Sequence, residues 1–327
     1  MKKILGIGNA LVDILIRIGD EKILEKMNLP KGSMQLVNKL RSDEILEALL
    51  NSPRSIAAGG SAANTVHGLA MLGAKAGFIG TIGKDQLGDS FEQDMHAAGV
   101  EPYLIRSDSE TGRAITLITT DSERTFATFL GAAVELSAPN IAELASPIFP
   151  MYDYLHVEGY LIQDHDLVRT TMELAKHHGL MVSLDLASYN VVEGHLDFLQ
   201  EILKKYVDIL FANEEEAKSF TGFEPEEALH YISQFCEIAI VKTGGKGSLI
   251  KSREVRSQIG VIPANPIDTT GAGDLYAAGF LYGHALGWPL VKCGEMGALL
   301  AGNIIEEIGA KMPAARWEKV KSFENSN

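Results

Sequence analysis

YLHVEGYLIQDHDLVRTTMELAKHHGLMVSLDL, residues 154–186, holds the decision about the fold in one stretch. YLHVEGY is a short apolar run of strand type, DLVRTTMELAKHHG reads as a helix, and MVSLDL is a strand again. The alternation continues downstream with the helix HLDFLQEILKKY, the strand DILFAN, the helices EEEAKSF and PEEALHYISQF, the strand IAIVKTG, a glycine turn and the strand SLIKS. Strands alternating with helices in this way predict an α/β fold: a doubly wound, mainly parallel sheet with helices on both faces. LYAAGFLYGHALG and LVKCGEMGALLAGNIIEEIG are apolar on most sides, as expected of helices buried against that sheet.

Upstream the pattern is mixed. KILGIGNALVDILIRI gives two strands in succession, SMQLV a short extended piece, and SDEILEALLNS a helix with Ser/Asp at its start. AAGGSAANTVHGLAMLG is a glycine turn feeding a helix of small residues, followed by the strand AGFIGTIG. YLIR, RAITLITTD and RTFATFL then follow as three strand-like pieces with no long helix between them, the pattern of antiparallel strands. Strands from about 11–40 and 101–130 are thus left over from the parallel body. They are expected to form a small antiparallel β lid over the crevice of a single domain spanning residues 1–327.

The 327 residues, 46% of them hydrophobic, suit one large α/β body with a sizeable core. A formal charge of −14 opposes binding to nucleic acid or to an anionic membrane and favours a small-molecule ligand. Cys236 and Cys293 form no CxxC pattern, and the histidines show no HExxH spacing, so neither a disulfide framework nor a zinc site is expected. Asn9, Asp13 and Arg17 interrupt the apolar opening, which argues for strand rather than export signal. With no long apolar run elsewhere, a cytoplasmic protein is expected.

DTTGAGDLYAAGF, residues 268–280, is a glycine turn at the mouth of an apolar helix. Its glycines permit positive φ and close backbone approach, and the helix start offers unpaired N–H groups and partial positive charge, so the turn suits an anion. Asp274 would repel a phosphate as a direct ligand. It makes sense as a general base for the group attacking that phosphate, with the backbone of Gly271 to Gly273 holding the developing charge. A plain Asp N-cap is the bland alternative. Gly59-Gly60 with Asn64 suits the approach of a polyol, or a tight strand-to-helix turn. Asp13, a lone acid in an apolar strand, calls for polar partners such as sugar hydroxyls, or for an exposed strand face. Asn213 and Glu216 suit hydrated Mg²⁺ or the ordinary preference of acids for a helix start. KTGGKGSLI is a glycine loop over nucleotide phosphates or a hairpin. Neither a Walker lysine motif nor GxGxxG is present.

In this order, GNALVDI, AAGGSAANTVHGLAMLG, GTIGKDQLGDSF, ANEEEA, KTGGKGS and DTTGAGDLYAAGF closely resemble the ribokinase/PfkB family of carbohydrate and nucleoside kinases, over nearly the whole chain. The resemblance implies a ribokinase-like fold and an ATP- and Mg²⁺-dependent phosphotransferase. It makes Asp274 the catalytic base and Gly271, Ala272 and Gly273 the anion hole. It implies that Asn213 and Glu216 organise Mg²⁺ through water, that Thr243, Gly245 and Gly247 lie near ATP, and that Asn303 lies near the adenine. A monovalent cation such as K⁺ near Asp268 and Thr270 belongs to the same expectation. ERTFATFLGAA resembles the matching segment of adenosine kinases and bacterial nucleoside kinases. On that match Arg124 reaches the transferred phosphate, while Phe126 and Thr128 face the base. Asp13, Gly59, Gly60 and Asn64 bind the ribose hydroxyls, and Tyr160 and Leu161 stand where an aromatic contact to the base is placed.

The expected reaction is therefore phosphorylation of the 5′-hydroxyl of a purine ribonucleoside, adenosine foremost. A sugar kinase acting on ribose, fructose or a related carbohydrate is the alternative, and Lys31, Lys39, Arg41, Arg106 and Arg113 keep a phosphorylated sugar in play. A binding-only nucleoside or sugar regulator is the third reading. An exposed lid edge strand offers a route to a homodimer.

Overall fold

The computed structural model describes residues 1–120, 123–253 and 255–322. The strand Tyr154–Glu158, the helix His165–His177 and the strand Met181–Asp185 form the expected unit, with the two strands parallel and Tyr154 opposite Met181. Asp164 starts the helix by accepting from the Leu167 amide, and Leu167, Val168, Met172 and Ala175 form the buried stripe that packs it on the sheet.

Nine strands make the large sheet, in the order Val255–Ile259, Ser248–Ser252, Ile238–Lys242, Ile209–Asn213, Met181–Asp185, Tyr154–Glu158, Ile4–Ile7, Ala76–Gly83 and Val100–Ser107. The first two form an antiparallel hairpin at one edge, Ser248–Ser252 also runs antiparallel to Ile238–Lys242, and the remaining pairings are parallel. Successive side chains alternate between faces, so Ile209 and Phe211 enter one core while Leu210 and Ala212 enter the other. The first core takes the helices Ser61–Met71, Ala272–Ala285 and Leu290–Ile304, and the second takes His165–His177 and Leu196–Lys205.

A second sheet of five strands runs Met34–Leu36, Arg124–Phe129, Gly112–Ile118, Leu11–Arg17, Arg54–Gly59. It differs from the expected lid sheet in three ways. It is mixed, because Met34–Leu36 pairs parallel to Arg124–Phe129 and Leu11–Arg17 parallel to Gly112–Ile118. Val100–Ser107 belongs to the large sheet, since the helix Gln86–Ala98 returns it parallel to Ala76–Gly83. Arg54–Gly59, whose glycine end reads as a turn, is an edge strand antiparallel to Leu11–Arg17. No helix among the described residues is long and apolar enough to cross a membrane.

Candidate active site

A cavity of about 1370 Å³ opens between the inner face of the small sheet and the ends of the large-sheet strands. Strand register builds the roof: Asp13 lies beside Ala114, Ala114 beside Thr128, and Thr128 beside Leu36, so the four stand in one row. The period of two brings Phe126 and Met34 to the same face, and all of these line the cavity.

The floor is the start of the helix Ala272–Ala285. Gly271 caps it at φ +74°, and a Cβ there would lie 2.6 Å from the Ala310 side chain, so both the conformation and the space call for glycine. The nearest atom to a Cβ built on Gly273 would be Lys242 Nζ, at 3.2 Å, leaving bare backbone beside a buried ammonium. Lys242 donates to Asp185 Oδ2 at 2.8 Å. Burial works against the lysine's charge, but Asp185, Glu216 and Asp274 outweigh it and raise its pKa. Asp185 is held below the usual carboxylate range, the Lys242 charge overcoming the opposing effect of burial.

Asp274 lies in the first turn of this helix and accepts from Ser61 Oγ at 2.7 Å and Asn64 Nδ2 at 3.0 Å. Burial pushes its pKa up to about 6, against the lowering effect of those two hydrogen bonds. Asn64 Oδ1 is buried with no hydrogen-bond partner and lines the cavity. Asp13 is likewise pushed up to about 6 by burial. A Cβ on Gly59 would overlap the Asp13 carboxylate, and Gly60, at φ +99°, leaves no room for one against the Asn9 carbonyl. Asp13, Gly60, Asn64, Phe126, Thr128, Tyr160, Leu161, Gly273 and Asp274 all face the one cavity.

Asn213 and Glu216 form a capping box: Asn213 Oδ1 accepts from the Glu216 amide at 2.8 Å, and Glu216 Oε2 from the Asn213 amide at 2.7 Å. The helix-start alternative therefore holds, and the same residues still border the cavity. Burial and then the nearby Asp185 raise Glu216 to about 7. Among the described residues no three His, Cys, Asp or Glu side chains gather closely enough to hold a metal ion. Asn213 and Glu216 bring side-chain oxygens to the cavity edge, the donor type that Mg²⁺ takes through water.

Other expected positions sit differently. Arg124 does not line the cavity: its guanidinium forms an ion pair with Asp268 and donates to Thr270 Oγ1 at 2.9 Å, tying the small sheet to the turn before Gly271. Asp268 and Thr270, beside which a monovalent cation was expected, are thus both partners of Arg124. Thr243 closes the glycine loop by donating to the Gly247 carbonyl, and it is Gly244, Gly245 and Gly247 that reach the cavity. Asn303 is buried and donates to Leu299 O of its own helix, so Ala301, Gly302 and Ile305 carry that wall. Gly59 lies under Asp13, outside the lining. Sequence reasoning missed Ser61, Lys242, Asp185 and Glu158. Glu158 is buried and accepts from Asn9 Nδ2 and the Ala62 amide, and burial raises it to about 7. Lys242 alone had a local signal, a cation directly before a glycine loop.

Lys31, Lys39, Arg41, Arg106 and Arg113 are all paired with carboxylates of Glu21, Asp43, Glu44, Asp89, Glu92 or Glu110, and none lines the cavity. Among the described lining residues, Lys242 is the single Lys or Arg.

The sequence profile of the pfkB family carbohydrate kinases matches residues 43–316. The fold is similar to that of a probable sugar kinase from Rhizobium etli, with a TM-score of 0.88, 34% identity, and coverage of 99% of this chain and 98% of that one. It is also similar to adenosine kinase from Sinorhizobium meliloti, with a TM-score of 0.87, 33% identity, and coverage of 98% and 99%. A 5-dehydro-2-deoxygluconokinase from Geobacillus thermodenitrificans is 28% identical over 289 residues, 81% of this chain and 83% of its own.

Proposed function

The chain belongs to the pfkB family of carbohydrate kinases, and from that premise we propose that it transfers the γ-phosphoryl group of ATP to the 5′-hydroxyl of a purine ribonucleoside, adenosine foremost. It is a phosphotransferase acting on a sugar or nucleoside hydroxyl. One observation carries the choice of acceptor. The cavity sets an apolar wall of Met34, Leu36, Phe126, Leu130 and Leu161 beside the hydroxyl-binding groups Asp13 and Asn64, and Lys242, the one cation among its described lining residues, is already committed to Asp185. A ribonucleoside is neutral, has vicinal hydroxyls, and carries a flat apolar base. A sugar phosphate or sugar acid would bring a negative charge to a wall of carboxylates.

In the reaction Asp274 accepts the acceptor's hydroxyl proton as the new O–P bond forms and the bond to ADP breaks. At a pKa near 6 it is ionised at neutral pH and still basic enough to help. The helix start at Gly271 to Gly273 faces the transferred group, with Lys242 beside it. The phosphates of ATP lie along Gly244, Gly245 and Gly247, and its adenine lies against Ala301, Gly302 and Ile305. Asn213 and Glu216 would hold Mg²⁺ through water, and the ion would supply positive charge to offset that of the phosphates. The small sheet acts as the lid and excludes water.

The test is ADP formation with Mg²⁺ and ATP across adenosine, inosine, guanosine, cytidine, ribose, fructose, fructose 6-phosphate and 5-dehydro-2-deoxygluconate, with Asp274→Asn as blank. A purine nucleoside is expected to give the highest kcat/KM. A free sugar or sugar acid preferred over every nucleoside would overturn the acceptor assignment and keep the phosphotransferase.

A further inference from the structure

We propose that Lys311 is a positioning residue: its buried ammonium is the fixed counter-charge for Asp13. The inference rests on the proposed function only for what Asp13 is used to bind.

The backbone before Lys311 is pinned on two sides. The Gly309 amide donates to Asp268 Oδ2, and a Cβ on Gly309 would meet the Leu15 side chain at 3.4 Å, so this residue lies against the strand that carries Asp13. Ala310 fills the space over Gly271, the cap of the helix that carries Asp274. Lys311 follows at once in the chain, beside these two contacts. Its Nζ is shut off from solvent and has no hydrogen-bond partner.

A buried ammonium without hydrogen bonds is unfavourable unless opposite charges surround it. Three carboxylates act on it with opposite charge: Asp13 on the strand Leu11–Arg17, Asp94 on the helix Gln86–Ala98, and Asp274. His67, on the helix Ser61–Met71, is the other titratable group facing it, and burial and Lys311 together hold that imidazole neutral with a pKa near 3. Burial pulls Lys311 down to about 8 against those carboxylates, so it is mostly protonated at neutral pH.

Asp13 needs that charge. Burial favours its neutral form, Asp274 repels its ionised form, and Lys311 is the cation that opposes both. Arg124 and Lys242 are engaged with Asp268 and Asp185. An ionised Asp13 can accept from two vicinal hydroxyls at once, whereas a protonated one gives up part of that capacity.

The test follows ¹³C-labelled aspartate carboxyls by NMR from pH 4 to 9, with Asp13 assigned through Asp13→Asn. In Lys311→Met the Asp13 midpoint is expected to rise by about one pH unit or more, and in Lys311→Arg to return toward the parent value. The acceptor KM at pH 6 should rise in Lys311→Met while the KM for ATP stays put. A folded Lys311→Met with an unmoved Asp13 midpoint overturns the proposal. Linkage gives a second route that needs no change at Lys311: its own midpoint, read on ¹³C-labelled lysine, must fall in Asp13→Asn by the same amount. A Lys311 midpoint that does not respond to Asp13→Asn also overturns it. Both titrations are read without turnover, so failure of the nucleoside assignment would leave them interpretable.

Discussion

Asp274 owes its chemistry to burial and to two donors from another element. Burial raises its pKa to about 6, and Ser61 and Asn64 restrain that rise. A carboxylate base works only when ionised, so kcat/KM should fall as pH drops through about 6. Removing a hydrogen bond to the ionised form raises a carboxyl pKa, so Ser61→Ala should move that acid limb to higher pH. A limb that stays in place would show that another group controls it. Asp274→Asn should lower kcat by about 10²- to 10⁴-fold with ATP affinity unchanged by calorimetry. Near-parent turnover would remove Asp274 as the base. Asp274 was legible because its signal is local, a glycine turn, an acid and an apolar helix within thirteen residues. Ser61 was not, because its meaning lies in a partner 213 positions away. Lys311 sits in an unremarkable GAKMP run, and only the fold brings it under Asp13.

At the scale of elements, two ion pairs tie strands together beside the glycine turn that starts the helix Ala272–Ala285. Lys242, at the end of Ile238–Lys242, and Asp185, at the end of Met181–Asp185, join two strand ends that are separated in the sheet by Ile209–Asn213. Removing one partner strands a buried charge, whereas removing both does not. Lys242→Met should therefore cost about 3–5 kcal/mol in urea unfolding, and adding Asp185→Asn should recover much of it. A double variant as unstable as the sum of the singles would deny the coupling. Arg124 likewise carries the strand Arg124–Phe129 to Asp268. Because that guanidinium already supplies Asp268 with a cation, turnover should be the same in KCl and in tetramethylammonium chloride. A several-fold activation by K⁺ would show a cation site elsewhere. The long alternation of strand and helix was readable from period alone, while the small sheet was readable in its existence and in four of its strands but not in its full membership or mixed pairing. Arg54–Gly59 is a half-exposed edge strand ending in glycine, ordered by its pairing with Leu11–Arg17 rather than by its own propensity. Val100–Ser107 was assigned to the wrong sheet because the helix before it went unread. Its signals were present, with Asp85 capping the start and Gly99 in the left-handed conformation ending it.

Across the whole molecule, charge sets how the two substrates arrive. The chain carries −14, and the described lining of its cavity sets Asp13, Glu158, Asp185, Glu216 and Asp274 against one ammonium, Lys242, with Lys311 buried outside that lining. An anionic nucleotide complex approaches such a field against repulsion, which salt screens over a Debye length of about 10 Å at 0.1 M. A neutral nucleoside feels little of it. The KM for MgATP should therefore decrease as ionic strength rises from about 10 to 150 mM, while the KM for the acceptor stays nearly constant. The two slopes, measured on one enzyme preparation, separate the readings of the acceptor. A sugar acid or sugar phosphate would have to show the same salt relief as ATP, because it meets the same carboxylates and finds Lys242 already held by Asp185. A flat slope for the acceptor beside a falling one for MgATP is what the geometry of this cavity requires of a neutral ribonucleoside.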